Sequence, residues 1–262
     1  MPCGRDRLTG MAVALLPPGL AAGTALMLVV ASFFTSAATA AFGIGGGLSL
    51  LAIMSTVLPV AVLIPVHGLV QLASNLGRVL VQRRAVAVRA LVPFLVGAAL
   101  GALIGARFVV TLPEALLQTT LGAFILVLAL AKLPAIGRIG PPGFALAGLF
   151  TTFLSMFVGA TAPINAAFFA KAFDDRSELV ATLAATTFLQ HLFKSVAFFA
   201  LGIGLTAYAP LIAAMVVTGF AGTLAGTALL RRIDERLFRF VLTTILVVIS
   251  LDLLRRGVTG LL

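Results

Sequence analysis

The sequence has few charged residues and a single cysteine. Only 10% of its 262 residues are charged, whereas an ordinary soluble domain carries roughly a quarter. The chain is 61% hydrophobic, with a mean hydropathy of +1.20, which leaves too little polar surface for a water-soluble fold. The composition therefore excludes a soluble catalytic domain.

The missing residues also exclude several chemistries. Cys3 has no second thiol to pair with, and no CxxC, HExxH or Walker-type phosphate loop occurs. The two histidines have no acidic neighbour to complete a metal set, and no Gly-x-Ser-x-Gly elbow marks a hydrolase nucleophile. We therefore expect no metal, no cofactor and no enzymatic activity, and transport driven by ATP would need a partner chain.

Acidic residues are scarcer than basic ones. The chain has eight Asp and Glu residues and 18 Lys and Arg residues, which gives a formal net charge of +10. Such an excess would suggest nucleic acid as the partner of a soluble protein. Here the basic residues lie mostly at the ends of apolar stretches, where they set membrane topology. The partner indicated is the lipid bilayer, and nucleic acid is not expected.

Apolar stretches recur from about residue 19 to residue 254, with short polar breaks between them. Lipid offers backbone groups no hydrogen-bonding partner, and the alternation typical of barrel strands is missing, so each stretch should form a helix. The sequence predicts an all-α integral membrane protein with 8 to 10 transmembrane helices. We expect long spans at 20–42, 60–82, 88–110, 114–133, 143–158, 178–200, 207–230 and 236–254.

Two further segments fit neither a loop nor a full span. The first is the glycine-rich stretch 42–47 with the apolar residues that follow it up to Pro59. The second is the stretch 159–165 with the residues 166–173. We expect each to be a glycine-broken or re-entrant helix.

The two halves of the chain resemble each other. Gly101 and Gly105 recur as Gly222 and Gly226 at an offset of 121 residues, and Gln71 matches Gln190 at an offset of 119. Matches in the same order favour a duplication, which is common in secondary transporters. We divide the chain into an N-terminal tail (1–18), a first transmembrane repeat (19–138) and a second one (139–262), which together form one transport domain.

The basic residues favour opposite orientations of the two halves. Arg83, Arg84 and Arg89 occupy a break whose counterpart in the second half has no basic residue, whereas at the next break the bias is reversed. This favours inverted repeats of five crossings each, with both termini outside and the breaks 83–89, 132–138, 171–176 and 231–239 in the cytoplasm. Arginine pairs near both termini argue against that count. If the glycine segments only re-enter, eight crossings and parallel halves result.

Two of the predicted helices carry a polar stripe on one face. A buried cation costs on the order of 2.5–3.5 kcal/mol at a helix centre, so Arg78 and Lys194 need a partner or a watery cavity. No acidic residue lies well inside a span, so the best partner for these cations would be an anion that binds and is released during transport. Alternatively, the two cationic side chains extend to the membrane surface, and the Gln and Asn amides form hydrogen bonds between helices. Successive residues of a helix are rotated by about 100°, so the spacing of these residues places each set on one face. The first stripe is His67, Gln71, Asn75 and Arg78, and the second is Thr187, Gln190, His191 and Lys194.

The glycine breaks suggest a second component of an anion site. An interrupted helix exposes free backbone N–H groups and a positive dipole end at membrane depth. Gly45, Gly46 and Gly47 would let an oxyanion approach the backbone closely. The alternative is close helix packing of the kind expected for Gly97, Gly101 and Gly105, whose spacing of four makes a contact face.

These stripes and the glycine run at 43–47 resemble the sulfite exporter TauE/SafE family of anion permeases. The resemblance covers essentially the whole chain through the order and spacing of short motifs. It implies export of sulfite, sulfoacetate or related sulfur oxyanions. The second break departs from the glycine-rich pattern, so Thr161 or Asn165 would have to bind the substrate there.

From these observations we expect a multi-pass protein of the cell (inner) membrane that exports a small inorganic or organic anion by alternating access. Two alternatives stay open, an anion channel and a membrane protein without transport activity, either an intramembrane enzyme or an assembly subunit. The oligomeric state is open as well, a homodimer included. The expected substrate-binding residues are Gly45, Gly46, Gly47, His67, Gln71, Asn75, Arg78, Gln190, His191 and Lys194.

Overall fold

A computed structural model describes residues 16–17, 19–42, 45–109, 112–131, 133–229 and 235–261 of the chain. This part consists of helices and connecting turns and contains no strand, which confirms the all-α prediction. Nearly all of the expected tail 1–18 lies outside the described residues, as do Gly43 and the basic residues Arg231 and Arg232. The helices are α1 (Ala22–Phe42), α2 (Gly46–Ser55), α3 (Val60–Gln82), α4 (Val88–Val109), α5 (Glu114–Leu130), α6 (Pro141–Val158), α7 (Ala162–Phe169), α8 (Arg176–Ala200), α9 (Ala209–Leu229) and α10 (Glu235–Leu261).

Eight long helices lie where the long apolar spans were expected, and two short ones lie in the broken segments. With 10 and 8 residues, α2 and α7 are about 15 and 12 Å long, less than the roughly 30 Å of a bilayer core. Both α8 and α10 are long but carry more polar or charged side chains. The described segments long and apolar enough to cross a membrane are Ala22–Phe42, Val60–Ala85, Val88–Val109, Pro141–Val158 and Thr206–Gly226.

One end of the helix bundle, which we call the basic end, joins the turn after α3 to the start of α8. Arg89 lies 3.4 Å from Glu178, and the backbone N–H of Ala87 donates to Thr182 Oγ1 at 3.0 Å. The described Lys and Arg side chains at or near this end include Arg83, Arg84, Arg89, Arg138, Lys171 and Arg176. The basic end therefore holds the described parts of three breaks that the sequence assigned to the cytoplasm, 83–89, 132–138 and 171–176.

The other end, which we call the distal end, holds the start of α3 and the start of α5. Glu114 accepts hydrogen bonds from the backbone N–H groups of Val60 at 2.6 Å and Ala61 at 3.3 Å. Phe198 and Ile203, at and just beyond the end of α8, border the same cavity as Val60. It follows that α3 and α8 run in opposite directions across the molecule.

The two broken pairs, α1 with α2 and α6 with α7, enter the molecule from opposite ends. Helix α6 starts at the basic end and runs parallel to α4, because Gly97 lies against Ala145 and Gly101 against Leu149. Helix α1 starts at the distal end and runs parallel to α9, where Gly222 lies against Phe33. The contact face expected for Gly97, Gly101 and Gly105 is confirmed, since an added Cβ at each position would overlap α6.

The space between the polar stripes and the distal end is filled with apolar side chains. Leu51 and Met54 of α2, Leu63 of α3 and Met156 of α6 are fully buried in one large cluster. A smaller aromatic cluster around Phe94 lies towards the basic end. The distal side of the stripes is therefore closed in this conformation.

Candidate functional site

The polar stripes of α3 and α8 face each other across the centre of the bundle. The ring centroids of His67 and His191 are 5.8 Å apart. A Cβ added to Gly68 would lie 3.0 Å from Lys194 Cε, so this glycine makes room for the lysine stem. His67 and Lys194 are fully buried, and His191 is 4% exposed. The helix packing thus brings the two predicted stripes together.

In the first half, the stripe of α3 contacts the start of α2. His67 donates a hydrogen bond from Nε2 to the carbonyl of Gly47 at 2.9 Å. A side chain at Gly47 would overlap the amide nitrogen of Gln71 and displace that amide, so glycine here lets Gln71 approach the start of α2. Asn75 donates to the carbonyl of Gln71 at 2.7 Å and accepts from the Arg78 guanidinium. A chain of contacts therefore runs from the glycine break to Arg78.

In the second half, the stripe of α8 contacts the break between α6 and α7. Gln190 accepts from Asn165 Nδ2 at 2.8 Å and donates to Thr151 Oγ1 at 2.6 Å. Lys194 donates to the carbonyl of Gly159 at 2.8 Å. Sequence reasoning missed Thr151, although its hydroxyl, with Ser155 one turn later in an apolar helix, was a readable signal. These bonds fix the second break to α8.

A cavity of about 240 Å³ lies between the two breaks and extends to Arg176 at the basic end. Polar and charged groups line it together with the backbone at the start of α2 and α7. Gly46 instead packs against Thr35 and Thr39 of α1, and His67, Gln190 and Lys194 lie outside the lining. The expected site residues that do line it are Gly45, Gly47, Gln71, Asn75, Arg78 and His191.

No carboxylate among the described residues reaches this cavity. Each described acidic side chain is engaged elsewhere. Glu178 lies near Arg89 and Asp174 near Arg138, while Asp252 binds two arginines near the end of α10. Asp175 and Glu114 bind backbone N–H groups. No group of three or more His, Cys, Asp or Glu side chains that could hold a metal occurs in the described part of the chain either.

Comparison with known proteins identifies the family. The sequence profile described as "Sulfite exporter TauE/SafE" matches residues 28–253, which is most of the chain. The chain belongs to the sulfite exporter TauE/SafE family. No curated protein and no solved structure matches it. This membership confirms the resemblance read from the sequence, and it is consistent with a membrane transporter of anions that is not an enzyme.

The TauE/SafE protein leaves the starts of its two short helices without a side-chain cap. Gly45, which precedes α2 with φ of 103°, has no side chain that could cap it, and the side chain of Thr161 makes no hydrogen bond to the first amides of α7. By contrast, Asp175 accepts from the N–H groups of Ser177 at 2.5 Å and Glu178 at 3.2 Å at the start of α8. Both uncapped starts border the cavity.

Proposed function

We propose that this TauE/SafE protein is a secondary transporter that exports a small sulfur-containing oxyanion or organosulfonate, such as sulfite or sulfoacetate, across the cytoplasmic membrane. The observation that carries the proposal is the cavity itself. It combines Arg78, two uncapped helix starts and the amides of Gln71 and Asn75, without any described carboxylate. Every one of these groups stabilises an anion.

The uncapped helix starts act as ligands of the substrate in this proposal. The first N–H groups of a helix have no partner within it, and together with the helix dipole they favour a negative charge. Helix α2 offers such groups in its glycine run. Helix α7 contributes through Ala162 and its dipole, because Pro163 has no N–H and the N–H of Ile164 donates to the carbonyl of Thr161. At the ends of the bundle, water or a carboxylate such as Glu114 serves these groups. At membrane depth an oxyanion provides the missing acceptors.

The Arg78 side chain supplies the positive charge. An arginine within a span costs on the order of 2.5–3.5 kcal/mol by insertion scales unless it is compensated. Its described hydrogen bond goes to the neutral amide of Asn75, and its Nε atom is buried without a partner. A bound oxyanion therefore removes an electrostatic cost that the protein alone does not offset.

The fold supports transport by inverted repeats, 19–138 and 139–262. The pairs α3 with α8 and α5 with α10 run antiparallel. In the second pair Gly122 lies against Leu253, and one turn earlier in α5 Thr119 lies against Gly257, one turn later in α10. Helix α1 of the first half packs against α9 of the second, and α6 of the second half packs in the equivalent way against α4 of the first. In inverted-repeat transporters, rocking of one half against the other alternates access to a central site.

We assign this conformation to the inward-facing state. Loops rich in Lys and Arg lie on the cytoplasmic side, and the cavity extends to Arg176 at the basic end, whereas the apolar cluster around Leu51 and Met54 closes the distal end. His67, Gln190 and Lys194 lie behind the cavity and would reach the anion in the outward-facing state. Outward movement of one negative charge gains roughly 2.3 kcal/mol per 100 mV in a cell with a negative interior.

The proposal is tested by flux of sulfite and sulfoacetate in liposomes that contain the purified protein, with an imposed potential of either sign. We expect saturable flux that an interior-negative potential drives outward. Lys194→Ala, Gln190→Ala and Arg78→Ala should each abolish it, whereas Arg84→Ala, an exposed arginine at the basic end, should not. Normal flux in all three site variants would contradict the site assignment.

The same liposomes separate the alternatives. A carrier shows counterflow and saturation, because each transport cycle requires a conformational change. A channel of this geometry would conduct without counterflow. A protein without transport activity, such as an assembly subunit, would give no flux of either anion.

A further inference from the structure

A second and larger cavity adjoins the candidate site. It has a volume of about 540 Å³ and lies between α5, α7 and α10. The same side chains form walls of both cavities, so the two spaces are immediate neighbours. The shared residues are Phe42, Gly45, Leu48, Pro163, Ala166 and Ala170.

The larger cavity differs from the first in its chemistry. Leucines and alanines make up its remaining wall apart from Thr243, and the leucines come from α5, from the turn after it and from α10, among them Leu128, Leu133 and Leu246. Thr243 contributes the only polar side chain among its described lining residues, and none of them is ionisable. A bare oxyanion gains nothing from such a wall, whereas a hydrocarbon group leaves water on entering it.

The passage between the two cavities is bordered by small side chains. Ala166 of α7 and Ala170, the residue directly after this helix, lie one turn apart on the side that borders both spaces. A chain attached to an anion held at Arg78 and the starts of α2 and α7 would pass beside these methyl groups into the apolar cavity.

We infer that the apolar cavity receives the hydrocarbon part of the transported anion, so that the substrate is a sulfonate carrying an alkyl chain or ring of several carbons. This inference rests on the proposed function and narrows its substrate class. Small-molecule sites occupy about 300–1,000 Å³, and the apolar cavity alone falls within that range. Sulfite, with four heavy atoms, would leave nearly all of this space unused.

The experiment compares ethane-, butane- and hexanesulfonate with the protein in nanodiscs, by thermal stabilisation, and in liposomes, by inhibition of sulfoacetate flux. Burial of each added methylene should lower the half-saturating concentration roughly fourfold. Ala167→Phe places a ring in the apolar cavity from a position that does not line the first one. It should remove the dependence on chain length and leave ethanesulfonate unchanged.

The matched control is Ala213→Phe on an exposed position of α9, which should behave like the parent protein. Ala129→Phe, on the α5 wall, replaces Ala167→Phe if that variant does not fold. Equal half-saturating concentrations for all three sulfonates would overturn the inference. A dependence on chain length that persists in both cavity variants would overturn it as well, because the effect would then come from partitioning into the membrane or from a cavity that lipid fills. Flux of the short sulfonate in those cases would leave the proposed function standing, whereas no binding and no flux of any sulfonate would reject both.

Discussion

At the scale of single residues, Gly47 links the first break to the polar stripe. Its carbonyl accepts from His67, and its missing side chain leaves space for the amide of Gln71. Gly47→Ala would push Gln71 away from the cavity that both residues line. We expect at least a tenfold loss of sulfoacetate flux, measured in liposomes at matched protein density.

The control for this change is Gly23→Ala, an exposed glycine of α1 that has nothing near an added Cβ. Alanine in a helix is favoured over glycine by roughly 0.5–1 kcal/mol, so this variant should be as active and slightly more stable. Full activity of Gly47→Ala would show that the close approach to Gln71 is not needed for transport.

The sequence located the residues of the stripes but not their individual surroundings. Polar side chains at helical spacing in apolar helices indicated a shared face, and α3 and α8 do face each other. Spacing could not tell that Arg78 lines the cavity while Lys194 binds the carbonyl of Gly159 behind it. That difference depends on where the broken helices end, which is a tertiary property.

At the scale of helices, Glu114 caps a neighbouring helix at the distal end. Its carboxylate accepts from the first backbone N–H groups of α3, beginning with Val60 at 2.6 Å. Glu114→Ala should lower the free energy of unfolding by about 0.5–2 kcal/mol, the usual cost of a lost cap. The substrate KM should stay unchanged because Glu114 is remote from the cavity. Thermal unfolding in detergent and flux kinetics measure the two effects.

Glu178→Ala is the comparison for this cap. Glu178 pairs with the largely exposed Arg89 at 3.4 Å, and exposed pairs contribute little stability. A loss of stability as large in Glu178→Ala as in Glu114→Ala would contradict the capping role, and a raised KM in Glu114→Ala would place this residue in the transport path.

Helix positions were largely predictable because lipid forces apolar stretches into helices. The boundary of α10 was not predicted well: the expected end was residue 254, whereas the helix continues to Leu261. Asp252 forms salt bridges with Arg255 at 2.9 Å and Arg256 at 2.6 Å, so the charged turn that suggested an end is stabilised as helix. The apolar composition of α2 and α7 did not indicate whether these segments cross the membrane. The structure shows that each helix is too short to span a bilayer.

At the scale of the whole molecule, the glycines that match between the two halves lie at comparable helix contacts. Glycines matched at an offset of 121 residues occupy equivalent contacts, Gly101 between α4 and α6 and Gly222 between α9 and α1. The distribution of basic residues anticipated the two ends of the bundle. Neither signal could place the apolar cavity, because its walls come from both halves and from five separate helices.

The orientation of the molecule is testable by thiol accessibility. Cys3 is the single cysteine, so Cys3→Ser gives a background for one reporter at a time. Ser177→Cys at the basic end and Thr206→Cys beyond the end of α8 occupy exposed positions at opposite ends of one helix. We expect an impermeant maleimide to label Ser177→Cys from the cytoplasm and Thr206→Cys from outside. Thr187→Cys, in the cavity, should react from the cytoplasm and be protected by sulfoacetate.

Each outcome of this labelling bears on a different part of the proposal. Labelling of both end reporters from one side would contradict the crossing of α8, on which the inverted arrangement depends. Reversed labelling would keep the fold but place the cavity on the outside, and the negative cell interior would then oppose uptake of the anion. If Thr187→Cys reacts from the cytoplasm but sulfoacetate does not protect it, the open cavity is not the substrate site. The anion would then have to bind deeper, towards His67 and Lys194.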